Sequence, residues 1–117
     1  MRYLTLQAGH AYALRTFQND VFTLRATLLD ERGDALVLTG KTIRINAKIN
    51  PFDSAVTHAI SGTIVTATSG IVDFAFTSTH TANVRKFFAE VEVETTGGAG
   101  DIETFLTFDW LVLRDVG

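Results

Sequence analysis

The sequence predicts an all-β sandwich, and three observations support this class. Apolar and polar residues alternate with period two along most of the chain. Turn signals interrupt the alternation at intervals of roughly 8–12 residues, as in sandwiches and barrels. No segment shows a sustained 3.6-residue apolar period, so no core helix is expected. The 117 residues, 46% of them hydrophobic, suit a single domain over residues 1–117 that buries its own core.

The first half of the chain predicts an N-terminal arm or strand at residues 1–17 and then three strands. Residues 21–29 place Phe22, Leu24, Ala26 and Leu28 on one face. A turn at 30–34, with Gly33 at positive φ, leads to a short strand at 35–38. The next strand, at 42–49, ends at Asn50-Pro51, because proline has no N–H to donate to a ladder.

The second half predicts four more strands, at residues 63–67, 71–77, 86–96 and 102–113. The strand at 86–96 has the clearest alternation, with apolar residues on one face and three glutamates on the other. The segments between the strands predict a loop at 51–62, one short helical turn at 78–85 and a hairpin loop at 97–101. The total is about 7–9 antiparallel strands.

Charges on the outward faces predict which strands pair. Arg44 and Lys48 on one strand complement Glu90, Glu92 and Glu94 on another, if 42–49 and 86–96 are neighbours. In the same way, Arg25 and Asp73 would meet if 21–29 lies beside 71–77. Both pairings belong to an immunoglobulin-like topology, so the charges favour an immunoglobulin-like antiparallel β-sandwich.

Composition excludes several classes of partner. The chain has no cysteine, which removes disulfides and thiolate chemistry. Its ten basic residues are scattered and the net charge is −3, so we expect no nucleic-acid partner. No apolar run approaches the ~20 residues of a membrane helix, so we expect no membrane partner. The first residues lack the pattern of a signal peptide, which predicts synthesis in a cytosol.

The polar residues give no convincing catalytic, cofactor or metal site. His10, His58 and His80 have no ligand partners at suitable spacing, and the simplest interpretation is that they are solvated loop residues. Ser78 near His80 lacks a nucleophile elbow and an orienting third group. The acidic turn at 30–34 lacks a calcium-hand ladder, and the glycines at 97–100 precede no helix. We therefore expect no enzymatic activity, no cofactor and no metal.

Apolar residues on both faces of the last strand are the strongest functional hint from the pattern. Leu106, Phe108, Trp110 and Val112 share one face, and further apolar residues occupy the other. One interpretation is a protein–protein or sugar-stacking surface. The alternative is a β-bulge that switches the phase, or an N-terminal arm that covers the face. The candidate interface residues are Tyr3, Tyr12, Phe88, Phe105, Leu111 and Leu113.

Five ordered segments resemble a known family. They are residues 20–24 leading to 28–30, residues 36–44 with Leu38-Thr39-Gly40 before a strand, residues 69–74, residues 88–93 and residues 103–108. In order and spacing they resemble the N-terminal domain of phage baseplate upper proteins, an immunoglobulin-like module of tailed-phage tails and baseplates. The match spans roughly residues 18–113. The chain departs from the family in having Val84-Arg85-Lys86 where a glycine is usual, and it looks like a stand-alone version.

The resemblance implies a virion structural protein of a tailed phage or prophage, assembled in the host cytoplasm. It implies docking onto other tail or baseplate proteins, with homo-oligomerisation in the assembly, and it carries over no enzymatic residue. The second hypothesis is a carbohydrate-binding module for host attachment, in which Phe88, Trp110 or Tyr12 stacks on a sugar. This is less favoured, because the single tryptophan falls on the predicted inward face.

Overall fold

The alternating segments form strands in the computed structural model, which describes residues 1–95 and 101–114. Within the described residues, a single 3-10 turn at Ala67–Ser69 lies between two consecutive strands. The eight strands are β1 (Arg2–Gln7), β2 (Tyr12–Phe17), β3 (Phe22–Leu29), β4 (Lys41–Lys48), β5 (His58–Thr66), β6 (Ile71–Phe76), β7 (Arg85–Thr95) and β8 (Ile102–Leu113).

The strands follow one another in the order β1-β3-β6-β5-β4-β7-β8-β2. Strand β5 pairs with β4 through residues 58–61 and with β6 through residues 62–66, so the sheet folds over along this strand. We call the two sides layer A (β1, β3, β6 and the second half of β5) and layer B (the first half of β5, then β4, β7, β8 and β2). The predicted all-β class is confirmed, and the folded sheet is consistent with an immunoglobulin-like β-sandwich.

The two edge strands depart from the antiparallel prediction. Strand β1 pairs with β3 in parallel, and β2 pairs with β8 in parallel, whereas the interior pairs are antiparallel. Residues 8–11 join β1 to β2 and carry the chain from the edge of layer A to the edge of layer B. The backbone N–H of Gln7 donates to the hydroxyl of Tyr12 at 2.7 Å across this connection. The predicted N-terminal arm is therefore part of both layers.

The pairings predicted from charge are confirmed. Strand β4 pairs with β7, and the Arg44 guanidinium lies 2.7 Å from Glu92 and 3.2 Å from Glu94. Strand β3 pairs with β6, where Arg25 binds both carboxylate oxygens of Asp73 at 2.8 and 2.9 Å. The bidentate contact holds the pKa of Asp73 below its usual value. Outward charges therefore mark strand neighbours in both layers.

Aromatic rings fill the space between the layers. Trp110 on β8 is completely buried, and its ring meets that of Phe76 on β6 edge to face at 5.2 Å. Phe87 on β7 lies 4.8 Å from the same indole. The indole N–H donates to the buried Thr16 hydroxyl on β2 at 3.0 Å, so its one polar group is satisfied. The predicted inward face of the last strand is confirmed, since Leu106, Phe108, Trp110 and Val112 are all buried.

Some segments differ from their predicted structure. Residues 35–38 make a single bridge, Leu29 to Ala35, rather than a strand. Strand β5 begins at His58, five residues before the predicted start, because its first residues pair with β4. Thr77 to Thr81 forms one turn, in which the Thr77 carbonyl accepts two backbone N–H groups. The predicted hairpin loop falls largely on residues 96–100, which lie outside the described residues.

Gly62 lies where β5 passes from one layer to the other. A Cβ at this position would come 2.6 Å from Val72, 2.9 Å from Phe74 and 3.0 Å from the Ile43 carbonyl oxygen. Real Cβ atoms essentially never come within 3.0 Å of a neighbour, so a side chain at Gly62 would force the surrounding residues to shift. The course of β5 between the layers therefore favours glycine at this position.

Candidate binding surface

The outer face of layer B carries an apolar patch at the β7, β8 and β2 end of the sheet. Leu111 and Leu113 alternate with the buried Trp110 and Val112, so they face outward, and both are half-buried. Leu113 pairs with Phe17 on β2, whose side chain is 48% exposed. We call Leu111, Leu113 and Phe17 the layer B patch.

Charged residues border this patch. Arg15 on β2 and Lys86 on β7 both pair with Leu111, one on each side of it, and both are exposed. The Lys86 ammonium lies 3.6 Å from a carboxylate oxygen of Asp109 and 4.8 Å from the centre of the Phe88 ring. An apolar centre with a polar, charged rim is the usual composition of a protein–protein interface.

The six candidate interface residues do not form one surface. Phe88, which is 36% exposed, lies on the same outer face as Leu111 and Leu113. Tyr3 is 73% exposed but lies on β1 in layer A, opposite Arg25. Tyr12 is half-buried, packs against the core and accepts the hydrogen bond from Gln7. The structure therefore brings three of the six together.

Phe105 is displaced from this face by a β-bulge in β8. Leu106 pairs with Val91 and Thr104 pairs with Glu92, so Phe105 is the extra residue between them. Its ring is half-buried and packs against the core, near Val93. The β-bulge that the sequence analysis considered as an alternative therefore occurs. It explains why Phe105, one of the apolar residues expected on the outward face, does not lie there.

Phe17 belongs to this surface but is not among the interface residues predicted from the sequence. It belongs to a short edge strand whose inward residues are Leu14 and Thr16, and the buried threonine obscures the apolar alternation. Its parallel pairing with β8 depends on a segment nearly the whole chain away. Local pattern therefore gave no signal for it.

Two histidines lie in the aromatic cluster rather than in solvated loops, which corrects the sequence interpretation. The rings of His58 and His80 meet edge to face at 5.3 Å, and His58 lies 5.3 Å from Phe87 and 6.0 Å from Trp110. His80 accepts a hydrogen bond from the Thr77 backbone N–H through Nδ1 at 3.0 Å. Burial lowers the pKa of both imidazoles, and the neighbouring His80 lowers that of His58 further.

This pair makes stability depend on pH. Both histidine pKa values lie below the ordinary 6.5 in the folded chain, so below that pH the unfolded chain binds more protons. We therefore expect the free energy of unfolding to be greatest above pH 6.5 and to fall as the pH decreases from 6.5 to the lower folded-state pKa values. Arg85, whose guanidinium lies 5.8 Å from the Phe87 ring centre, adds a further positive charge to the cluster. Urea unfolding from about pH 8 to about pH 5 measures the effect.

Two variants identify the source of this pH dependence. The double variant His58→Gln, His80→Gln should flatten the fall in stability over the same range. His10→Gln is the matched control, because His10 is exposed in the β1–β2 turn. An unchanged slope in the double variant would contradict the assignment.

The described ranges 1–95 and 101–114 contain no group of three histidine, aspartate or glutamate side chains placed to hold a metal ion. The same ranges contain no helix long and apolar enough to cross a bilayer.

Comparison with known proteins finds a likeness to a solved structure. The fold is similar to that of the "N-terminal domain of phage TP901-1 ORF48", with a TM-score of 0.72. The superposition covers 96% of this chain and 97% of that one, at 14% sequence identity. The sequence matches no family model and no curated protein. At this identity the likeness establishes a shared fold over the whole of both chains.

Proposed function

We propose that this chain is a structural, non-enzymatic component of a tailed phage or prophage virion, in the tail or baseplate. It would act by protein–protein assembly, docking onto other tail or baseplate proteins and onto copies of itself. Assembly in the host cytoplasm belongs to the same proposal. Support comes from the resemblance over residues 18–113 and from the full-length fold likeness to a phage protein domain.

The layer B patch is the observation that best supports docking as the mechanism. Leu111, Leu113 and Phe17 keep apolar surface on the outer face of a strand pair at the edge of the sandwich. A partner that covers them gains about 25 cal/mol for each Å² of apolar area removed from water. Arg15 and Lys86 would orient that partner through its carboxylates, and such charges at a rim mainly set the rate and the specificity of association.

The test uses the phage or induced prophage that encodes the chain. We expect purified particles to contain the protein, and Leu111→Asp to lower its amount in particles at least tenfold. The aspartate would remove the apolar centre of the layer B patch and would pair with Arg15 and Lys86 on either side of it, so a partner would lose both the apolar contact and the two cations. A tenfold change requires only about 1.4 kcal/mol. Quantitative mass spectrometry of gradient-purified particles measures the amount.

Val65→Asp is the matched control, because Val65 is an aliphatic residue of layer A that is 44% exposed. It should leave the amount in particles unchanged, and thermal unfolding should show both variants folded. Absence of the wild-type chain from particles would refute the virion role. If the Leu111→Asp variant were incorporated into particles as well as the wild-type chain, the docking role of the layer B patch would be refuted.

A further inference from the structure

A shallow depression of about 330 Å³ lies on the outer face of layer B, beside the layer B patch. Three neighbouring strands line it with outward side chains in two rows, as the strand register requires. The β1–β2 turn closes one side at Ala11 and Tyr12, and Pro51 of the β4–β5 loop lies on its rim. The first row is Lys48, Phe88 and Asp109, and the second is Asn46, Glu90 and Thr107.

The first row offers one apolar surface between two groups of opposite hydrogen-bonding character. Phe88, 36% exposed, stands between Lys48, which has three N–H donors, and Asp109, which has acceptors only. The Lys86 ammonium lies 4.8 Å from the centre of the Phe88 ring, and the ring's remaining exposed surface can stack on another flat, weakly polar face.

The second row adds acceptors that the sheet holds in place. Asn46 is only 6% exposed, and its amide nitrogen donates to Glu92 at 2.8 Å. Glu92 is held in turn by Arg44 at 2.7 Å. No described residue donates to the amide oxygen of Asn46, which leaves that acceptor for a ligand. Side chains fixed on strands lose little further freedom when they bind.

Charge at the depression selects against an ionic ligand. Among the lining residues, Lys48 carries one positive charge and Glu90 and Asp109 carry two negative charges, and Lys86 beside the depression supplies the second positive charge. Lys86 lies 3.6 Å from Asp109, which neutralises that carboxylate locally. A phosphate would meet the two carboxylates, and a cation would meet the two ammonium groups. The depression therefore suits a neutral ligand that both donates and accepts hydrogen bonds.

We infer that this depression binds a neutral saccharide, with one pyranose ring stacked by its C–H face on Phe88. The ring hydroxyls would accept from Lys48 and donate to Asp109, Glu90 and the Asn46 amide oxygen. The site goes beyond the proposed assembly role, and its lining residues lie outside the layer B patch. Of the aromatic residues considered from the sequence, it uses Phe88, since Trp110 is completely buried and the Tyr12 ring packs against the core.

Amide chemical-shift titration of the ¹⁵N-labelled full chain tests the site. The probes are glucose, galactose, N-acetylglucosamine and rhamnose, each up to about 50 mM, which nearly saturates a site with a dissociation constant of about 1 mM. At least one should shift the amides of residues 46, 48, 88, 90, 107 and 109 in a saturable way. Phe88→Ala should weaken binding at least tenfold, the loss that a central aromatic contact produces.

Phe17→Ala is the matched control, because Phe17 is an exposed phenylalanine of the same face outside the depression. It should leave binding unchanged, as should Leu111→Asp, which separates this site from the assembly patch. No saturable shift with any of the four sugars would overturn the inference. Equal loss in Phe17→Ala would also overturn it, and so would a saturable shift at the same residues with inorganic phosphate.

Discussion

Replacing Trp110 by alanine is expected to lower the free energy of unfolding by about 3–5 kcal/mol. The indole is completely buried and contacts rings from both layers, so its loss leaves a cavity where the layers meet. A domain of this size has about 5–15 kcal/mol of total stability, so the variant should be close to unfolding. Urea unfolding followed by far-UV circular dichroism measures the change.

Two further variants divide this effect into packing and hydrogen bonding. Thr16→Val keeps the shape of the side chain but leaves the indole N–H without its acceptor, at a cost of about 1–3 kcal/mol. Trp110→Phe removes the N–H together with part of the ring and should fall between the two. If Trp110→Ala cost less than about 1 kcal/mol, the indole would not be the centre of the core.

Gly62→Ala is expected to lower the free energy of unfolding by about 1–3 kcal/mol. Alanine normally suits a strand better than glycine does, so a loss of stability must come from the contacts of the added methyl group. Those contacts include the Ile43 carbonyl oxygen, a backbone atom that cannot rotate away. Thermal unfolding monitored by calorimetry measures the loss.

Ser61→Ala is the control for this prediction. Ser61 precedes Gly62 on β5 and is exposed, so its substitution changes the same strand without crowding. It should alter stability by no more than about 0.5 kcal/mol. If the two variants were equally stable, the passage of β5 between the layers would not depend on the missing side chain.

The fold class could be predicted from the sequence because buried apolar residues and outward charged residues both recur at every second position of a strand. Inward residues of β3, β6, β7 and β8 alternate as expected, and Arg25 and Arg44 find the partners that complementarity requires. Strand bounds agreed best for the two longest strands, β7 and β8. They failed at β5, whose two halves face different neighbours and therefore show no single alternation.

The candidate site was harder to predict because its residues come from different strands and lie together only through the register in which those strands pair. Phe88 and Leu111 could be placed on outward faces from their own strands. The bulge at Phe105 could not be located from the sequence, since it depends on where β8 shifts against β7. Likewise, His58 and His80 meet only because the start of β5 lies beside the turn after β6, and neither segment carries a local signal.

The parallel pairing of β2 with β8 has a consequence for the order of folding. During translation, residues 12–17 leave the ribosome early, but residues 108–113 are made almost a whole domain later. Until then β2 has no partner strand, and Thr16 lacks the indole it binds. Closing so long a loop is slow, and an unpaired strand is prone to aggregate while it waits. Strand β8 can pair early with its sequence neighbour β7, but β2 must wait for β8. We therefore expect refolding on the millisecond-to-second scale of non-local β-proteins, with β2 the last strand to gain protection from hydrogen exchange.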